Sequence, residues 1–109
     1  MNTESFSYSP LLRFSLILEA LQKRPYLSRD DLFQYLQKHG FDDSVSTFRR
    51  TLRSLREVFK IYIEYDQKEK GYYINEEFSP NLDSFQQFLD LAATAAVLND
   101  SMTEPEKVL

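Results

Sequence analysis

Ser46-Thr47-Phe48-Arg49-Arg50-Thr51-Leu52-Arg53-Ser54-Leu55-Arg56-Glu57-Val58-Phe59-Lys60 is the stretch whose reading decides the fold. Wound at about 100° per residue, it gathers Phe48, Leu52, Leu55 and Phe59 into one arc, the i, i+4, i+7, i+11 spacing of a buried helix face. Arg49, Arg50 and Arg53 point away from that arc with Ser46, Thr47 and Ser54 beside them, while Arg56 and Lys60 lie on its shoulder. Five basic residues against the single acid Glu57 leave the segment at +4. Ser46 is the expected N-cap, its hydroxyl accepting from an orphan backbone N–H of the first turn. An anion at that end would meet free N–H groups and the positive end of the helix dipole. A helix with one side for a core and arginines on the other is suited to a groove of DNA.

The segments before it are helical by the same reasoning. Ser28 opens a helix, with Asp31 completing a capping box, Leu32, Phe33 and Leu36 facing the core, and Gly40 as the left-handed cap. Arg29, near its start, is within the set of side chains expected to touch phosphate. His39 is read as a surface residue of the last turn, where the helix dipole favours it. Earlier still, Ser9-Pro10 reads as N-cap and first helical position. Leu11, Leu12, Phe14, Ile17, Leu18 and Leu21 form the apolar face, and Pro25 ends the helix near residue 23 or 24. Residues 1–8 are expected to fray. Residues 41–45 are too few for anything but a turn, so two helices follow one another across it, the second lined with arginine. That is a helix-turn-helix pattern.

Beyond Phe59 the period changes to two. Ile61, Ile63 and Tyr65 alternate with Tyr62 and Glu64, Gln67 to Gly71 form a charged turn, and Tyr72-Tyr73-Ile74 return as the second strand, with Tyr26-Leu27 a short connector able to add a brief third. Lys68 and Lys70 stand at the tip. Three helices and a hairpin define the expected fold class: mainly α with a small β-hairpin wing, a winged helix-turn-helix over 9–76, followed by a C-terminal helix over 79–99 and a flexible tail over 100–109. In that last helix Leu82, Phe85, Leu89, Ala92, Ala93 and Ala96 share one face, but Phe88, Leu91, Ala95 and Leu98 fall largely outside it. A helix apolar on two sides calls for a second partner, either another copy of the chain or a further domain, unless it folds back and buries both sides.

The 109 residues suit one domain with an appended helix, and 42% hydrophobic content is enough for a core. The net charge of −4 opposes a nucleic-acid partner at first sight, but seven acids and one lysine lie in 75–109, leaving the first 74 residues at +2. Local potential governs docking more than the total, although the acidic end disfavours promiscuous binding. With no cysteine there are no disulfides, thiolate metal sites or cysteine nucleophiles. One histidine, and only Gly40 and Gly71 as glycines, leave no metal-ligand cluster and no phosphate-cradling loop, so neither catalysis nor a cofactor is expected. The carboxylate pairs Asp30-Asp31 and Asp42-Asp43 sit at helix starts, where capping accounts for them. No apolar run approaches membrane-spanning length, and a cytoplasmic protein is expected.

Leu11-Leu12-Arg13-Phe14-Ser15-Leu16-Ile17-Leu18-Glu19-Ala20-Leu21, Val45 to Arg56, Ile61 to Asp66 and Gly71 to Ile74 together resemble the N-terminal winged-helix domain of WYL-type (DeoR-like) bacterial transcriptional regulators. The resemblance covers roughly residues 10–98. Arg50 matches an arginine of the family's Arg-Asp-Leu pattern, and Thr51 departs from its aspartate. It implies DNA binding in transcription regulation and a ligand-sensing domain beyond this chain. The expected DNA contacts are Ser46, Thr47, Arg49, Arg50, Arg53 and Ser54 on the helix, Lys68 and Lys70 on the hairpin, and Arg29. The expected partners are double-stranded DNA and a second copy through the 79–99 helix, or an effector domain packed on it. The alternative function is a protein-interaction or dimerisation module without direct DNA contact.

Overall fold

The computed structural model describes the backbone of residues 3–108 and the side chains of residues 10–95. Its element order is α1 (Thr3–Lys23), α2 (Arg29–Lys38), α3 (Val45–Phe59), β1 (Ile63–Asp66), β2 (Gly71–Ile74) and α4 (Leu82–Val108). Among the described residues it is mainly helical with one two-stranded antiparallel hairpin.

Helix α1 is the element the others pack against. Apolar residues at 16, 17, 18, 20 and 21 cover more than one stripe of its surface, so two cores form on it. Leu16, Ile17, Ala20 and Leu21 join Leu27, Leu32, Leu36 and Phe48, whereas Phe14 and Leu18 join Leu55, Ile61, Leu82, Phe85 and Leu89. Leu52, Ile63 and Ile74 pack against both. The helix passes through Pro10 rather than starting there, and the residues expected to fray are helical from Thr3 onward. Proline's fixed φ suits a helix. It removes one N–H from the ladder without dictating an end. The Ser9 side chain lies outside the described residues.

Helix α2 begins as expected: Ser28 accepts from the Asp31 N–H at 3.0 Å, and Asp31 accepts from the Ser28 N–H at 3.3 Å. It ends with Gly40 at φ +91°, where the Gly40 N–H reaches the Gln37 carbonyl and the Phe41 N–H the Leu36 carbonyl. These two bonds satisfy carbonyls the helix end would otherwise orphan.

Helix α3 starts two residues earlier than an N-cap at Ser46 would place it, and its N-cap is Ser44. Ser44 is extended (φ −82°, ψ 169°) and its Oγ accepts from the Thr47 N–H at 3.2 Å. Ser46 is already a helical residue, and its exposed side chain does no capping. Phe48 and Leu55 are fully buried, each contributing about 1.5–3 kcal/mol by leaving water. Thr51 is buried as well, and its hydroxyl donates to the Thr47 carbonyl at 2.8 Å. Lys60 in the left-handed conformation (φ 61°) turns the chain toward the hairpin.

The hairpin pairs Ile63 with Ile74, Glu64 with Tyr73, Tyr65 with Tyr72 and Asp66 with Gly71. Asp66 Oδ1 accepts from the Lys68 and Glu69 N–H groups at 2.8 Å each, and Lys70 takes the positive φ (58°) that closes the turn. Gly71 therefore has a different task from the one its place in the turn suggests. A Cβ there would overlap the Tyr26 backbone, which crosses it closely enough for the Tyr26 N–H to bond the Tyr72 carbonyl and the Tyr72 N–H the Leu27 carbonyl. The expected brief third strand is thus one bridge, Leu27 to Tyr72.

Ser79 is buried at the base of the hairpin and accepts from the Tyr62 N–H at 2.9 Å. Helix α4 then packs Leu82, Phe85 and Leu89 onto α1 and continues to Val108, past the end expected near Leu98. Residues 99–104 contain neither glycine nor proline to stop it. Among the described residues, no helix is long and apolar enough to cross a membrane.

Candidate nucleic-acid interface

One side of α3 is fixed in both cores, and that fixes where the other side points. Phe48 meets Phe33 edge-on at 5.4 Å and Tyr72 at 5.5 Å, while Phe59 lies tilted against Phe85 at 4.4 Å and meets Phe14 edge-on at 5.6 Å. With both ends of its apolar stripe held by aromatic contacts, the helix is not free to roll. Arg49, Arg50, Arg53 and Ser46 are exposed, and Thr47 and Ser54 are half-buried beside them. Helical spacing places Arg49, Arg53, Arg56 and Lys60 in one column, at i, i+4, i+7 and i+11, with Ser46 and Arg50 flanking it.

Among the described residues, none of Arg49, Arg50 and Arg53 forms an ion pair; Arg56 meets only its neighbour Glu57, at 3.6 Å on the surface. Lys60 extends the strip, although its Nζ donates to the Glu57 carbonyl at 3.0 Å.

The turn before α3 is anchored by a pair that local sequence does not reveal. The Arg13 Nε donates to both carboxylate oxygens of Asp43, at 3.0 and 2.9 Å, and the Arg13 guanidinium lies over the Phe41 ring at 4.7 Å from its centre. The Asp43 side chain is almost wholly buried, whereas Arg13 keeps about a quarter of its exposure. Asp43 directly precedes the N-cap Ser44, so the pair ties the start of α3 to α1. Asp43 is therefore not the capping residue expected of it, and Asp42 accepts from the Gln37 side chain at 3.2 Å instead. Removing one partner would strand a buried charge.

Lys68 and Lys70 are exposed at the hairpin tip, neither forming an ion pair among the described residues, while Asp66 holds the backbone between them. The hairpin joins α3 through the Phe48–Tyr72 contact and the packing of β1 on the helix. Arg29 is exposed at the first position of α2, on a different element from the arginine column.

On the opposite face of the hairpin, Glu64 accepts from the Tyr73 hydroxyl at 3.1 Å and the Asn75 amide at 3.2 Å. The hydrogen bond to Glu64 raises the Tyr73 pKa, with a smaller contribution from desolvation. Tyr35 is raised chiefly by burial and then by its 3.0 Å hydrogen bond to Glu19. His39 is exposed, its Nδ1 3.0 Å from the Tyr35 carbonyl. Among the described residues, no three His, Cys, Asp or Glu side chains gather in a way that could hold a metal ion.

The alternation read from the sequence puts Tyr65 on the same side of its strand as Ile63. It does lie on that side, but 47% of it is exposed. Its ring meets Tyr72 at 5.1 Å and so ends an aromatic line running Phe33, Phe48, Tyr72, Tyr65. Compared with protein-family models, curated proteins and solved structures, the chain matches none.

Proposed function

We propose that this chain binds double-stranded DNA sequence-specifically, as the DNA-binding part of a transcriptional regulator, through a winged helix-turn-helix in which α3 is the recognition helix and the hairpin the wing. The observation that carries this reading is the set Arg49, Arg50 and Arg53 of α3, exposed, without ion-pair partners among the described residues, on a helix whose Phe48 and Leu55 are fully buried. In the major groove, Arg49, Arg50 and Arg53 read guanine O6 and N7 edges or grip phosphates, with Ser46 and Thr47 contacting phosphate or base edges near the helix start and Ser54 a further contact along the helix. Lys68 and Lys70 contact the flanking backbone or minor groove, and Arg29 a phosphate beside the α2 terminus. The resemblance to WYL-type regulators supports the same reading, and the role is binding rather than catalysis.

Selection of bound duplexes from a random pool tests it. An enriched motif is expected, with a log–log salt slope of roughly −3 to −5 per domain. Arg50→Ala or Arg53→Ala should relax preference at one base pair by about 1–3 kcal/mol while leaving thermal unfolding unchanged. Unchanged affinity in both variants, or no enrichment, would remove the reading.

A second reading has its own observation. Phe88 and Leu91 on α4 are 49% and 70% exposed, so the helix does not bury both apolar sides within the described fold. Helix α4 then serves as an association surface, and the two roles are compatible if it pairs two DNA-binding copies.

A further inference from the structure

We infer that the Tyr65 ring is an uncharged DNA contact of the hairpin, packing on the deoxyribose–phosphate backbone beside the base pairs read by α3, with its phenol O–H donating to a phosphate oxygen. The inference rests on the DNA-binding reading and adds to it a residue of a different chemical kind from the lysines and arginines already assigned.

Three observations lead to it. The first is register. Ile63 and Ile74 are paired and pack against both cores, and the next pair on the same face is Tyr65 and Tyr72. Tyr72 still reaches Phe48 and one core, whereas its cross-strand partner Tyr65 packs against neither core. The second is placement. Phe48 precedes Arg49 and Arg50 in the chain, and Tyr72 stands edge-on to it at 5.5 Å, with Tyr65 edge-on to Tyr72 at 5.1 Å. The exposed ring is thus linked through Tyr72 to Phe48 in the first half of α3, and it lies one residue before the Asp66 that holds the lysine-bearing turn. The third is the state of the side chain. No hydrogen bond engages its hydroxyl among the described residues, although Tyr35 and Tyr73 each have a glutamate partner.

An aromatic ring held edge-on by a neighbour loses little conformational freedom on binding, and its oxygen is free to donate. Tyrosine hydroxyls are among the side-chain groups that position proteins on phosphate and sugar. Because the ring carries no charge, it displaces no counterion, and this separates it experimentally from the lysines.

The test uses a duplex selected by the parent chain and three variants. Tyr65→Phe keeps the ring and its packing and should bind at least about tenfold more weakly, through loss of one hydrogen bond to a charged oxygen. Tyr65→Ala should bind more weakly still. Both should keep the parent's salt slope, whereas Lys68→Ala should reduce it by about 1. Tyr65→Trp places the only tryptophan in a chain that has none, and its emission should change on saturation with the duplex. Parent affinity in Tyr65→Phe and Tyr65→Ala, with tryptophan emission indifferent to DNA, would overturn this inference and leave the arginine reading standing. A parent chain that binds no duplex at all would overturn both.

Discussion

A methyl group at residue 71 has nowhere to go. The Tyr26 backbone crosses β2 at Gly71, and the bridge between Leu27 and Tyr72 depends on that approach. Gly71→Ala must push the connector after α1 away from the hairpin, weakening the bonds between Tyr26 or Leu27 and Tyr72. Overpacking of this kind costs about 1–3 kcal/mol, and the upper end is expected because the obstacle is backbone rather than a flexible side chain. Gly40→Ala fails differently: the site has open space, and only the positive φ penalises it, by about 1 kcal/mol. Urea midpoints of the two variants measure the difference. Tyr35 and Tyr73 supply a residue-scale pH dependence. Their pKa values are raised above 10.0, so the folded chain holds these protons more tightly than the unfolded chain. That stability is fully present below pH 10.0 and is lost as pH rises through the folded values above it. Urea midpoints taken from pH 8 to pH 11.5 should fall at the alkaline end, and less steeply in a Tyr35→Phe, Tyr73→Phe double variant.

At the scale of elements, periodicity made α2, the body of α3 and the hairpin legible, because local signals agreed there. Ser28 and Asp31 cap α2, Gly40 ends it, and alternation at Ile63 and Tyr65 marks β1. Boundaries failed where two local signals compete or a distant contact decides. Ser44 and Ser46 both precede apolar helical residues. The choice falls to Ser44 because Arg13, thirty residues away, holds Asp43 and thereby fixes where the chain stops being extended. No window around residue 44 contains Arg13. The same limit concealed the role of Gly71, whose neighbour Tyr26 comes from another part of the chain. The arginine face was legible because a helix needs only its own apolar stripe to orient its polar side. The exposure of Tyr65 was not, because strand alternation says which side a residue faces but not how far the core beneath extends. The cap correction has a measurable consequence. Ser44→Ala should lower stability by about 0.5–2 kcal/mol. Ser46→Ala, an exposed helical position, should change stability by less than about 0.5 kcal/mol while weakening DNA binding. Equal losses of stability in thermal melts of the two variants would contradict this assignment.

At the scale of the whole molecule, α4 is too long for the body it packs on. Its 27 residues span about 40 Å at 1.5 Å per residue. Its contact with α1 is made by Leu82, Phe85 and Leu89, a 3-then-4 spacing that forms one seam. Phe88, Leu91 and Ala95 repeat that spacing on a second seam, exposed in the described residues, and the sequence carries it on through Leu98 and Met102. Alternating intervals of three and four are the pattern by which one helix seats against another, and two seams on one helix permit two neighbours. Helix α1 is the first neighbour. The second is expected to be α4 of another copy, since a two-fold pair lets the same ridge serve both sides of the interface. Phe88 also stacks on Phe85 at 6.2 Å, so the open seam is continuous with the aromatic contacts that hold α3. Pairing would set the separation of two arginine columns, and the selected DNA should then carry paired half-sites about one helical turn, or a multiple of it, apart. Leu91→Glu should convert the dimer to monomer in sedimentation, since a charge on the seam cannot be buried unpaired. It should lower affinity for the paired site at least tenfold and leave affinity for a single half-site unchanged, because α3 and the hairpin are untouched. A parent chain that sediments as a monomer at high concentration would reject the pairing and leave the arginine column to bind alone.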